Sequence, residues 1–102
     1  MNSRNDSVVV INVFTPKPGA LNDFLALQSA ALPGLRAGAR GSRLYRAQDG
    51  SKVMMLSVFD TAEDFDKFTA GQSFAAHRAK MLPLLEKAEP GRYQLVFQAG
   101  EV

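Results

Sequence analysis

The chain is 102 residues long, with twelve Lys and Arg against ten Asp and Glu, one histidine, and neither cysteine nor tryptophan. That length sets a single domain with a modest core, and charge so nearly balanced gives no footing for a nucleic-acid surface. Without cysteine there is neither a disulfide framework nor thiolate chemistry, and one histidine cannot supply a protein-only metal site of normal ligand count.

Residues 1–7 are polar and read as a flexible arm. No apolar run behind them is long enough for a signal peptide or a membrane span, which suits a cytoplasmic protein with no membrane partner. The single domain covers 8–98, and 99–102 form a tail. Val8 to Thr15 predicts a strand with Val8, Val10, Asn12 and Phe14 on one face and Val9, Ile11 and Val13 on the other. Lys17-Pro18-Gly19 breaks it. A helix follows from about Ala20, carrying Leu21, Phe24, Leu25, Leu32 and Leu35 at helical spacing, with Pro33-Gly34 ending or kinking it. After a loop over 38–41, Ser42 to Gln48 reads as a second strand that turns at Asp49-Gly50 into a third.

The third strand, Val53 to Phe59, is the centre of the reading, because Val53, Met55, Ser57 and Phe59 lie on one face and Met54, Leu56 and Val58 on the other, both almost wholly apolar. Water suits neither face. Thr61-Ala62-Glu63-Asp64 resembles a capping box, so a helix begins there, with Phe65 and Phe68 inward. Gly71 interrupts it. A further helix from about Ser73 places Phe74, Arg78, Met81 and Leu85 on one stripe flanked by His77 and Leu82, with Pro83 as a kink. Pro90-Gly91 is expected to stop that helix, and Tyr93 to Gln98 to form the last strand. The order strand, helix, strand, strand, helix, strand is the split βαβ of an α+β, ferredoxin-like domain: an antiparallel sheet with its helices on one face. A second copy is expected to cover the other face, which makes a homodimer.

His77 is either a hydrogen-bonded structural histidine, a general base suited to neutral pH, or an axial ligand to haem iron. Asn12 is the lone amide of its strand and is either tied to backbone or aimed into a cavity, where it could hold an enolate or phenolate oxygen. Ser57 and Phe59 share that space, and Ser57 has no acidic partner that would suggest a hydrolase triad. Arg36, Arg40, Arg43 and Arg46 read as a solvated edge around Tyr45, or as an attractor of acidic ligands.

The segments Ile11-Asn12-Val13-Phe14-Thr15-Pro16-Lys17-Pro18-Gly19, Gly41-Ser42-Arg43-Leu44-Tyr45-Arg46, Ser73-Phe74-Ala75-Ala76-His77-Arg78-Ala79-Lys80-Met81 and Glu89-Pro90-Gly91-Arg92-Tyr93 resemble the antibiotic biosynthesis monooxygenase family, within the dimeric α+β barrel superfamily. The resemblance spans about Val8 to Gln98. It implies a homodimer, paired as a dimeric α+β barrel, in which each subunit holds a pocket between helices and sheet. One branch of the family oxygenates aromatic polyketides to quinones with neither metal nor flavin. The other binds haem and cleaves its ring, through a histidine on the last helix, an asparagine on the first strand and a tryptophan ending the third. His77 and Asn12 match the haem branch, but Phe59 stands in the tryptophan position. The quinone-forming branch's asparagine, four residues before that tryptophan, falls on Met55, and its following tyrosine falls near Phe65.

The expected function is a cofactor-independent monooxygenase that uses molecular oxygen and a small aromatic ligand, with no metal and no bound cofactor. His77 takes the proton and Asn12 holds the oxyanion. Met55, Phe59 and Phe65 exclude water, and Ser57 and Arg78 complete the substrate-binding surface. Haem binding, with or without ring degradation, is the alternative; a ligand-binding dimer without chemistry is the third.

Overall fold

The computed structural model describes residues 7–35 and 38–101. Strand β1 (Val8–Pro16) lies at the centre of a four-stranded sheet, antiparallel to β3 (Val53–Phe59) on one side and to β4 (Leu85–Tyr93) on the other. Strand β2 (Gly41–Arg46) pairs with β3 at one edge, so the order is β2-β3-β1-β4. This is the ferredoxin-like α+β architecture that the sequence predicts. The register sets Asn12 across from Met55, Val10 from Ser57 and Phe14 from Val53, and this row meets the helices.

Helix α1 (Leu21–Leu35) begins just after Gly19, whose φ of 81° lies in the region that glycine enters without strain. It keeps Pro33 inside its last turn. Phe24 from α1 is fully buried and stacks on Phe14 with ring centroids 4.9 Å apart. Val53, Met81 and Leu85 close this cluster, with Leu21, Leu25 and Leu44 packed around it. The turn between β2 and β3 is held by Ala47 N–H to Lys52 O at 2.9 Å, and Asp49 Oδ1 accepts from both the backbone N–H and the hydroxyl of Ser51. Helix α2 (Ala62–Thr69) is capped as expected, since Thr61 Oγ1 accepts from Asp64 N–H at 3.1 Å. Gly71 then separates it from α3 (Gln72–Met81).

The last part of the chain departs from expectation. The helix does not run to Pro90, and Tyr93 to Gln98 is not the final strand. Helix α3 stops at Met81, a single 3-10 turn covers Leu82–Leu84, and β4 already begins at Leu85. Pro83 is the physical reason: it has no N–H to donate, and its ring would collide with the carbonyl of Ala79. Pro90-Gly91 sits inside β4 instead of marking a boundary. An edge strand tolerates proline because one of its rows of N–H groups points away from the sheet. The alternation in β4 is also hidden by an irregularity of register at Thr15/Pro16, after which Ala88, Pro90 and Arg92 face the helices although Leu85 does too. Residues 94–98 lie outside regular structure, with Val96 and Phe97 93% and 81% exposed.

The opposite face of the sheet carries Val9, Ile11 and Val13 from β1 and Met54, Leu56 and Val58 from β3, all half-buried and turned away from the helices. Residues 1–6 of the expected N-terminal arm lie outside the described residues. Ser7 is buried and accepts a hydrogen bond from Arg40 Nη2 at 3.2 Å. Among the described residues no helix is long and apolar enough to cross a membrane.

The Phe14–Phe24 contact anchors α1 on the sheet, so Phe24→Ala is expected to lower unfolding free energy by about 3–5 kcal/mol. Thr61→Ala removes one cap bond and is expected to cost about 1 kcal/mol. Urea denaturation of both variants beside the parent chain checks the ranking.

Candidate active site

Between the helices and the Val10–Asn12–Phe14 row of β1 lies a cavity of about 600 Å³. The seven residues expected to form the catalytic and substrate-binding surface line it: Asn12, Met55, Ser57, Phe59, Phe65, His77 and Arg78. Four elements bring them together, which explains why spacing alone gives no compact motif. Strands β1 and β3 supply the floor through adjacent rungs of one register. Helices α2 and α3 supply the roof.

The wall at the α2 end is aromatic. Phe59 meets Phe65 edge-on at 5.1 Å and Phe68 at 5.7 Å, and Phe68 meets Phe74 at 5.3 Å. Such offset and edge contacts make a stiff apolar surface against which a planar ligand can lie. Arg92 from β4 lies over the Phe65 ring at 4.7 Å and is held by Asp66 Oδ1 at 2.8 Å. Arg78 reaches the same cavity from α3 and has no ion pair or hydrogen bond among the described residues. Among the described residues no acidic side chain lines the space, and its charged lining is Arg78 together with the Asp66-paired Arg92.

His77 is buried, as is the side chain it meets, Gln28 from α1. The imidazole Nε2–H donates to Gln28 Oε1 in a short hydrogen bond, and the Gln28 amide N–H points to Met55 Sδ at 3.6 Å. Burial, then the nearby Lys80 ammonium, hold the His77 pKa below its ordinary value, so the neutral ring is favoured. A neutral imidazole in an apolar cavity is a proton acceptor ready for use.

Asn12 stands between Met55 on one neighbouring strand and Pro90 on the other, and neither offers its side chain a hydrogen bond. Its Oδ1 is buried with no partner. An acceptor in that state is costly unless something in the cavity donates to it, and a ligand O–H would do so. Turned over, the same amide presents Nδ2–H to an oxyanion. Ser57 shares its hydroxyl with Ser42 across the β2–β3 pair at 2.7 Å.

The basic run around Tyr45 lies elsewhere. Arg40 binds Asp60 at 2.6 Å, Arg43 Nη1 reaches the Tyr45 hydroxyl at 3.3 Å, and neither lines the cavity; Arg36 lies outside the described residues. No group of three or more His, Cys, Asp or Glu among the described residues is placed to hold a metal ion.

Gln28 and Arg92 are among the cavity residues that escape the sequence reading. Gln28 follows Phe24 by four positions and fills the gap between Leu25 and Leu32 on the apolar stripe of α1; a polar residue on that stripe was the available signal. Arg92 left none, because the reading places β4 beyond it.

The sequence profile of antibiotic biosynthesis monooxygenases matches residues 7–80. No curated protein sequence matches the chain. Among solved structures it is similar to Rv0793 from Mycobacterium tuberculosis, at 25% identity and TM-score 0.82, covering 92% of this chain and 99% of that one. It is also similar to SnoaB from Streptomyces nogalater, described as a cofactor-independent oxygenase, at 21% identity and TM-score 0.85, covering 94% and 99%. PA3566 from Pseudomonas aeruginosa overlays at 14% identity and TM-score 0.81, covering 93% and 99%.

The depressed His77 pKa fixes the sign of a pH effect. Below about pH 6.5 the unfolded ring takes up a proton that the folded ring resists, so stability present above that pH is lost as pH falls through the folded pKa. The urea midpoint is expected to be lower at about pH 5.5 than at about pH 7.5, and His77→Ala to shrink that difference.

Proposed function

The chain belongs to the antibiotic biosynthesis monooxygenase family, and from that premise we propose that it is a cofactor-independent monooxygenase acting on a small aromatic substrate that is readily deprotonated. The observation that carries this reading is one buried, neutral imidazole in an aromatic-walled cavity that no acidic side chain among the described residues lines, and that also holds an amide whose oxygen has no partner among them. A base so placed removes a proton from an activated C–H without competition from a nearby carboxylate.

In the proposed reaction His77 accepts the proton from an activated CH₂ flanked by aromatic rings. The charge left on the substrate delocalises onto its oxygen, where Asn12 and the arginines stabilise it. The carbanion passes an electron to O₂, and the resulting radical pair combines to form a C–O bond. His77 returns its proton to the peroxide, which then loses water as the second C–H proton leaves. The sum is CH₂ plus O₂ giving C=O plus H₂O. Met55, Phe59 and Phe65 exclude solvent that would quench the carbanion. Arg78 and Arg92 favour a substrate carrying negative charge.

Haem fits this arrangement less well, because the His77 nitrogen Nε2 is already engaged by Gln28 and would have to give up that bond to reach iron. A binding dimer without chemistry would use the same cavity and is distinguished by turnover. Purified protein in air is expected to speed oxidation of an anthrone or hydroquinone. His77→Ala should lower the rate by about 10²–10⁴-fold and Asn12→Ala by about 10²-fold. Equal rates in the parent and His77→Ala proteins would remove the proposed base.

The uncovered sheet face supports a homodimer. Val9, Ile11, Val13, Met54, Leu56 and Val58 form one apolar surface, and a two-fold pairing covers it twice over. Past Tyr93, extended chain would carry Leu95 and Phe97 along the same face. A cysteine-free chain also suits the reducing cytoplasm. Light scattering at micromolar concentration is expected to report a dimer, and Leu56→Arg to give monomer; a monomeric parent protein would overturn the pairing.

A further inference from the structure

We propose that Gln28 is a positioning residue that locks neutral His77 as its Nε2–H tautomer and leaves Nδ1 as the nitrogen that takes the substrate's proton. The tautomer stands on geometry alone; the role of Nδ1 rests on the function proposed above.

Gln28 comes from α1 and His77 from α3, 49 positions apart, and both are nearly closed off from solvent at 1% and 8% exposure. A buried amide must satisfy both of its ends. Met55 settles which end goes where. A thioether sulfur accepts hydrogen bonds and cannot donate them, so the amide nitrogen belongs at Met55 Sδ, 3.6 Å away, and Oε1 is left facing His77. An amide oxygen can only accept. The ring nitrogen against it, Nε2, therefore carries the proton, and in the neutral ring the lone pair is on Nδ1. Three elements, α1, β3 and α3, thus converge to set one proton.

The choice of an amide over a carboxylate has a chemical consequence. A carboxylate at this position would orient the ring equally well, but its charge would hold the imidazolium form. Lys80 on its own helix is the charge that acts on the ring, and among the described residues Arg78 and Arg92 are the charged side chains that line the same cavity, to which α1 and β3 add only uncharged side chains. Gln28 orients His77 without protonating it, which is what a base working at neutral pH needs.

Because the chain has one histidine, imidazole nitrogen NMR reads this ring alone. Above its pKa the parent protein is expected to show Nε2 protonated and Nδ1 bare. Gln28→Leu should release the ring to exchange between tautomers, with averaged nitrogen signals and kcat lower by about 10–100-fold at nearly constant KM. Gln28→Glu, almost the same shape, should keep the tautomer, raise the ring's proton affinity about tenfold or more, and move the rising limb of the kcat–pH profile to higher pH. If Gln28→Leu fails to fold, the parent protein and Gln28→Glu decide the matter. A bare Nε2 in the parent protein, or a ring titration unmoved in Gln28→Glu, overturns the proposal. If the nitrogen signals behave as expected and no substrate turns over, the oxygenase reading fails while the tautomer lock holds.

Discussion

Everything at this site depends on how β1 is registered against β3. Setting Asn12 opposite Met55 and Phe14 opposite Val53 sends the even-numbered residues of β1 toward the helices and the odd-numbered valines and Ile11 away from them. A slip of one residue would exchange the two sets. Asn12 would then face outward and Val13 would take its place, leaving the floor of the cavity no amide. The Phe14–Phe24 contact guards against that slip, because only the native register puts an aromatic side chain under α1. The same register produces the second apolar face, so the cavity and the surface proposed for pairing are two results of one register.

Within the cavity the polar groups divide into a satisfied set and an unsatisfied one. Gln28, His77 and Met55 satisfy one another across three elements, and low local dielectric makes such contacts strong once they are complete. Asn12 Oδ1 is the opposite case, since leaving a buried acceptor unpaired costs about 1–3 kcal/mol. A hydrophobic residue in that row would remove the cost, as Val10 and Phe14 do on either side. The fold thus carries a local penalty in the cavity that also holds its only histidine, and a ligand hydroxyl is the economical way to relieve it.

Much of this was legible in the chain. The two-sided strands, the Thr61 cap and the Asp49-Gly50 turn each follow from local chemistry, and together they imply the ferredoxin-like order of elements. Asn12 and His77 stood out because each is polar on an apolar stretch. Strand β4 was misplaced because Pro90-Gly91 carries the local signal of a boundary, while its tolerance depends on an edge position that only the assembled sheet defines. Gln28 was overlooked because a glutamine on a helix normally faces water; its burial comes from an imidazole 49 positions away. Its place on the apolar stripe of α1 was the one local trace of that long-range partner.

The central proposal is that this cavity prepares its substrate to react with oxygen directly, with the protein contributing a base, an amide, cationic arginines and dry walls. Isotope labelling tests it most directly. Chelator-treated protein given an anthrone under ¹⁸O₂ should yield quinone carrying one labelled oxygen atom, with none incorporated when the label is in water. Quinone labelled from water, or no quinone above the protein-free rate, would contradict the account.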